Sequence, residues 1–378
     1  MKKFFLIFHG RFPSEKAASL FAAKSAEAFA RQGMEVELLV PKRRGGADAN
    51  PYDFYGVKDN FSLAYLPTVD LFGRVPAGLA FWLSYIAFSI SAFFHLVSSS
   101  GKDDIIYSNE GLPLMLASFA RTNCFYELHD FPESKKTLFK ILLSRMQWIL
   151  AHNRWKERKL FELFPRLAKK KVLMERNAVD IAAFDLDITK EAARKKLSLP
   201  EDRLIALYTG HLYGWKGVHA LVDAAKMLPH GISVALVGGT DEDVRALKGY
   251  AGDAPNIIFA GHRPHSEMPF WQKAADVLVL PNSAKEKISA FYTSPMKLFE
   301  YMASKRPIVA TDLPSIREIV GDDAAVVVAP DDAHALVAGI EMAANDAKGS
   351  EERVRNAFRW VSEHTWDKRA ERILAFMK

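Results

Sequence analysis

The sequence predicts an α/β protein built as two doubly wound domains, and three observations predict it. The chain has 378 residues, and at about 150 residues per domain that length fills two domains, each able to bury its own core. Apolar residues make up 49% and charged residues 25%, the balance of an ordinary soluble protein, which excludes a disordered or fibrous chain. Short apolar runs alternate with helical periods through both halves, the pattern that parallel sheets produce.

Residues 4–8 are an apolar run behind two lysines, as at the start of a signal peptide. The run lacks the length and the small-residue cleavage site, and His9, Gly10, Arg11 and a helical period follow. It therefore reads as a first buried strand, and no export is implied. A helix over 14–31 and strands at 35–40 and 62–66 come next. Residues 75–97 then run for 23 positions without one Asp, Glu, Lys or Arg, long enough to span a bilayer. Pro76, Ser84, Ser89, Ser91 and His95 argue against a span, as does the strand at 104–107 that resumes the alternation. Three readings stay open: a helix packed on a sheet, such a helix that also presents aromatic surface to a bilayer interface, and a true span.

A helix at 112–121 and a strand at 124–128 complete the first alternation. The basic, broken stretch 166–187 holds a strand-like run at 171–174 and then turn signals, so the domain boundary is placed after residue 186. Strands at 204–208, 233–237, 256–260, 277–280, 307–310 and 324–328, each followed by helix-compatible sequence, make the second doubly wound domain. The expected organisation is 1–186, 187–360, and a C-terminal helix over 361–378 that packs back toward the first domain.

Charge divides unevenly. Residues 1–180 hold 26 Lys and Arg against 18 Asp and Glu, a balance of +8, and the remainder holds 25 against 27, a balance of −2. A basic half points to an anionic partner such as a membrane surface or a phosphate-bearing substrate, or to a solvated basic face. The run Lys169-Lys170-Lys171 reads as a solvated lead into a strand, and no nucleic-acid partner is expected. The lone cysteine, Cys124, cannot form an intrachain disulfide, which favours a reducing cytoplasm and leaves no Cys-based zinc site. His262 and His265 flank Arg263 and Pro264 as in a turn, so no metal is expected. Trp148, Trp155, Trp360 and Trp366 read as packing residues.

Two segments carry chemistry. Tyr208 to Gly217, YTGHLYGWKG, is a glycine-punctuated loop after a strand that ends beside Lys216 and opens a helix; such a loop brings backbone N–H groups and one ammonium to a phosphate. In residues 291–306, FYTSPMKLFEYMASKR, Ser294 fits an N-cap and Pro295 a first helical residue. The N–H groups of that helix start suit a diphosphate. Glu300, inside the helix among Leu298, Phe299, Tyr301 and Met302, reads as a partly buried glutamate with a partner, placed to accept from ribose hydroxyls.

These two segments, with PIVATD at 307–312 and SIREIV at 315–320, resemble the retaining glycosyltransferases of family 4, of GT-B architecture, with two Rossmann-like domains facing across a cleft. The resemblance covers almost all of 200–330. It is looser in the first half, at FPSEKAASLFAAKSAEAF (12–29), Glu127-Leu128-His129-Asp130 and Asn177-Ala178-Val179-Asp180. It implies a nucleotide-diphosphate sugar held by the second domain and an acceptor on the first. Lys216 and the main chain at Thr293 and Ser294 would bind the diphosphate, Glu300 the ribose, and Gly261, His262 and Arg263 the base. His129 would approach the donor sugar, and Gly10 and Arg11 would face the reacting centre. His129, Lys216 and Glu300 are thus the implied catalytic set; Glu110, Glu127 and Asp130 are acidic candidates on the acceptor side. Two positions depart from the family. Tyr292 stands eight before Glu300, where relatives carry a sugar-contacting glutamate, and His211 stands where an arginine is frequent.

The resemblance implies hexosyl or N-acetylhexosaminyl transfer with retention, by front-face displacement in which the leaving phosphate takes the acceptor's proton. Lysine, histidine and helix dipoles would stabilise the diphosphate without a metal or other cofactor. The expected acceptor is a lipid-linked glycan in surface polysaccharide or glycolipid synthesis, and the expected place is the cytoplasm, peripheral on the inner face of the membrane through the basic first domain. Two other readings are a nucleotide-sugar-binding protein without transfer, motivated by Tyr292, and a sugar-nucleotide epimerase of the same architecture.

Overall fold

The computed structural model describes residues 2–44, 49–129, 131 and 136–378. The chain divides into two compact units, Met1–Arg176 with Trp366–Lys378, and Asn177–Thr365. The first break falls ten residues before the expected 186. The turn at 177–180 already packs with the second unit: Val179 pairs with Thr365, the Asp180 side chain caps the turn Ile181–Phe184, and Phe184 joins that unit's core.

Unit 1 is a seven-stranded parallel sheet of β1 (Lys3–Ile7), β2 (Glu35–Pro41), β3 (Ser62–Leu66), β4 (Ile105–Ser108), β5 (Cys124–Leu128), β6 (Trp148–Ala151) and β7 (Val172–Met174). Its order is β3-β2-β1-β4-β5-β6-β7, so the strand order reverses between β1 and β4. A parallel sheet covered on both faces is apolar at every position rather than at alternate ones, which is why FFLI of β1 reads as a continuous run: Phe4, Phe5 and Ile7 are fully buried. Strand β6, the four residues WILA, was not legible as a strand in sequence.

The apolar stretch is the helix Ala77–Ser99. Ala80, Ser84, Phe88, Ser89, Ala92 and Leu96 form its buried stripe, with Ser84 Oγ 3.2 Å from His9 Nε2. Leu79, Phe81, Trp82, Leu83, Ile86, Ile90, Phe94 and Val97 are exposed. Among the described residues it is the one helix long and apolar enough to cross a membrane, and it packs on the sheet of unit 1. The C-terminal helix Trp366–Phe376 lies against the helix Ala17–Arg31 of the same unit, through Trp366 on Phe21 and an Arg31–Asp367 ion pair at 2.7 Å.

Unit 2 is a six-stranded parallel sheet of β8 (Leu204–Thr209), β9 (Ile232–Val237), β10 (Ile257–Gly261), β11 (Val277–Leu280), β12 (Ile308–Thr311) and β13 (Val326–Val328). Its order, β10-β9-β8-β11-β12-β13, reverses between β8 and β11. Successive side chains point to opposite faces: Ile205, Leu207, Leu278 and Leu280 enter one core with Trp271 and Phe299, while Ala206, Tyr208, Val277 and Val279 enter the other with Leu221 and Leu336. Doubly wound sheets bind ligands beyond the carboxyl ends of their strands at such a reversal.

Candidate functional site

The loop after β8 opens at the reversal in unit 2. Gly210 has φ +123°, a conformation closed to L side chains, and a Cβ there would lie 2.9 Å from Lys297 Nζ. At Gly217, φ +73°, a Cβ would overlap the carbonyl of Pro281 at 1.8 Å. Only glycine allows the loop to pass this close to the end of β11. A tight turn, Gly214–Lys216, then leads into the helix Val218–Met227. Lys216 lies over the Trp215 ring at 3.8 Å, and desolvation pushes its ammonium down to about 8. His211 is exposed and stacks on Tyr213, ring centroids 4.9 Å apart.

The helix after β11 starts differently from the sequence reading. It runs Met296–Ala303, with Pro295 itself at the N-cap in an extended conformation and no side chain capping it. Ser294 is therefore not the cap, and Pro295 is not helical; the residue before a proline is held extended, and Pro295 ψ of 110° carries that geometry one residue further. The Ser294 carbonyl accepts from Asn177 Nδ2, and its Oγ is buried with no hydrogen-bond partner. The helix is tied to β8 by Tyr301, whose hydroxyl accepts from the Thr209 N–H at 2.9 Å. Thr293 and Tyr292 lie at the end of the preceding π-helical turn, where Thr293 N–H donates to the Ile288 carbonyl at 3.0 Å.

Glu300 is buried, and its Oε1 lies 2.9 Å from His265 Nε2. That partner comes from the turn after β10, the same turn that carries Gly261, His262 and Arg263. Gly261 (φ +68°) gives its carbonyl to Gly238 N–H at 2.7 Å, while His262 and Arg263 are exposed. The structure thus brings Lys216, Ser294, Glu300 and the 261–265 turn to one edge of one sheet. Lys297 joins them; it stands in the quoted motif, yet spacing along a helix does not show that its nitrogen turns inward to the loop.

In unit 1 the candidates gather at the carboxyl ends of β1, β4 and β5. Gly10 lies under the Phe8 ring, which a Cβ would strike at 2.1 Å, and Arg11 beside it is exposed. Glu110 Oε1 accepts from the His9 N–H at 3.2 Å. His9 is buried, and desolvation followed by Arg43 pushes it down to about 4.

Glu127 is completely buried. Its Oε1 accepts from Arg369 Nη2 at 2.6 Å and lies 3.2 Å from His129 Nε2 and 3.0 Å from His152 Nε2; its Oε2 accepts from the Tyr107 hydroxyl. Burial alone would raise this carboxyl, but Arg369 and His152 outweigh it and hold it well below the usual range. His152 is pushed down to about 3 by burial and by neighbouring His129, so it is neutral. Ligand atoms of Glu127, His129 and His152 lie within 4.8 Å of one another, a spacing that can hold a cation. Both carboxylate oxygens already have donors, however, and the guanidinium of Arg369 supplies the charge. Glu127 is therefore a structural hub rather than an acceptor-side group open to solvent. His152 and Arg369 carried no sequence signal, since Arg369 lies 242 residues from Glu127. Asp130 lies outside the described residues.

Two doubly wound parallel sheets, each with its candidate residues at the strand-order reversal, define a GT-B fold. Residues 203–346, within unit 2, match the family Glycosyl transferases group 1. Among solved structures, the chain resembles sucrose-phosphate synthase of Thermosynechococcus elongatus (TM-score 0.79, 19% identity, 99% of this chain and 98% of that one). It also resembles Anabaena HepE in complex with UDP (0.76, 17%, 99% of both) and with UDP-glucose (0.75, 17%, 99% and 100%). Curated relatives include TuaC of Bacillus subtilis, a glycosyltransferase named for teichuronic acid biosynthesis, 29% identical over 153 residues (40% of this chain, 36% of the relative). Another is the alpha-D-kanosaminyltransferase of Streptomyces kanamyceticus, 25% identical over 151 residues (39% and 37%). The matched stretches span about a third of these relatives' length.

Proposed function

We propose that the chain is a retaining glycosyltransferase that moves a sugar from a nucleotide-diphosphate donor to a lipid-linked glycan at the inner face of the cytoplasmic membrane. The observation that carries the donor half is the convergence in unit 2 of the glycine loop with Lys216 and an uncapped helix start at Met296–Ala303. Uncapped N–H groups and a lysine favour negative charge, and most of all the charge that grows on a departing diphosphate. In the transfer, the bond from the anomeric carbon to the phosphate oxygen breaks and the bond to the acceptor oxygen forms on the same face. The acceptor's proton passes to the leaving phosphate. Glu300, steadied by His265, accepts from the ribose hydroxyls. These side chains bind and stabilise charge without calling on a metal.

The acceptor half rests on unit 1. Its helix Ala77–Ser99 turns an apolar face outward, and basic residues sit beside exposed rings: Arg43 over Phe72 at 5.0 Å and Arg145 over Phe119 at 4.0 Å. Apolar surface fringed by cations fits an anionic bilayer interface, where a lipid-linked acceptor is found. The buried Cys124 thiol fits a reducing compartment. The test is a thermal-shift screen of UDP, GDP, ADP and their sugars, followed by transfer to membrane extract with product analysis. Binding with incorporation into lipid-linked product is expected. Binding without transfer, or release of an epimerised sugar nucleotide, overturns the transferase reading.

A further inference from the structure

One ionisable group at the unit 2 site has no part in the donor reading above. Lys297 lies in the first turn of the helix Met296–Ala303, where a lysine ordinarily carries its ammonium out to water. Here Nζ is buried with no hydrogen-bond partner. It sits 3.8 Å over the Tyr208 ring, and a Cβ at Gly210 would lie 2.9 Å from it. The nitrogen is therefore aimed at the loop that carries Lys216. Ser294 Oγ, just before the same helix, is a second buried polar atom without a partner. Buried donors left unmade cost stability, and an anion at the helix start would satisfy both at once.

The charged and titratable groups around Lys297 are few. Lys216 faces it from the loop after β8, Glu300 from its own helix with His265 bound to that carboxylate, Tyr208 from β8 beneath it, and Tyr301 from the turn below. Burial and then Lys216 drive the Lys297 ammonium well below the usual lysine range, against the pull of Glu300.

We propose that Lys297 is a further phosphate ligand of the donor site, acting with Ser294: its buried Nζ and the Ser294 Oγ meet the diphosphate from the helix start, as Lys216 meets it from the loop. This inference rests on the donor-site reading of unit 2, and deepens it by giving that site a second lysine.

Isothermal titration of UDP, GDP and ADP at pH 7 reads the affinity. Lys297→Met, which matches the buried volume, should bind about 10- to 100-fold more weakly than the wild type. Lys297→Arg, which keeps a cation at the helix start, should retain most of the affinity, which keeps the test decisive if the methionine variant unfolds in a thermal melt. Wild-type affinity in Lys297→Met would overturn the proposal while leaving the donor reading standing, provided that Lys216→Ala loses binding. Failure of the wild type to bind all three diphosphates would remove the donor reading itself.

Discussion

Lys216 and Glu300 are the two side chains whose roles are most directly testable one at a time. Lys216 is desolvated, and its folded value of about 8 lies below the model-peptide value of 10.5, so its charge is lost as the pH rises through about 8. Diphosphate affinity should therefore hold below that pH and step down above it, and Lys216→Ala should remove the step. The same substitution should weaken binding at pH 7 by about 10- to 100-fold, the range of a charge-assisted hydrogen bond, with no loss of thermal stability. Equal affinity of variant and wild type would refute the role. Glu300→Gln should leave inorganic pyrophosphate binding intact and lessen the preference for a nucleoside diphosphate over its dideoxyribose analogue. His265→Ala should do so more mildly, because it frees the carboxylate without removing it. A Glu300→Gln protein that unfolds with ligand response unchanged would make Glu300 a structural residue.

At the scale of elements, the contacts that hold the C-terminal helix Trp366–Phe376 in unit 1 include one buried guanidinium. Arg369 is 2% exposed and bonds both Glu127 and the Arg176 carbonyl. Removing one partner of a buried ion pair strands the other charge and typically costs about 3–5 kcal/mol. Arg369→Leu should lower the urea unfolding free energy of unit 1 by about that amount, and adding Glu127→Gln should restore part of it, since the stranded charge is then gone. A loss below about 1 kcal/mol, the scale of an exposed pair, would show that Glu127 finds another cation. The helix at Met296–Ala303 teaches a different lesson. Ser-Pro reads as an N-cap followed by a first helical residue, yet Pro295 stays outside the helix because the chain leaves a π-helical turn at Thr293 already extended. Local propensity placed the helix within one residue; the incoming backbone decided which side chain was left uncapped.

For the whole molecule, the proposed membrane docking predicts a salt-sensitive association. Basic side chains contribute about 1 kcal/mol each near an anionic surface, and the outward residues of the helix Ala77–Ser99 add apolar burial. In sedimentation with liposomes, binding should require anionic lipid and fall as salt rises. Replacing Trp82, Ile86, Ile90 and Phe94 by serine should weaken it with little effect on stability, because all four are exposed. No binding to anionic vesicles at low salt would end the docking reading, and resistance to alkaline carbonate would point instead to a segment that crosses.

Much of this protein was legible in its residues. Eleven of the thirteen strands announce themselves as continuous apolar runs, and a twelfth, β7, as the strand-like run at 171–174, because a parallel sheet buried on both faces tolerates little else. The glycine loop and the Thr-Ser-Pro segment point to a diphosphate because backbone N–H groups can approach a phosphate only where side chains are absent or a helix begins. Strand β6 was lost because only Met146 and Gln147, with no glycine, proline or asparagine turn signal, separate it from the helix that ends at Arg145. The break after Arg176 was misplaced because turn signals show where a chain bends, and the contacts of Val179 and Phe184 show which core it joins. The partners of Glu127 and Glu300 and the inward turn of Lys297 were beyond reach for one reason. Burial and pairing of a polar side chain are set by groups that tertiary packing brings beside it, and Arg369 is 242 residues away from the carboxylate it neutralises.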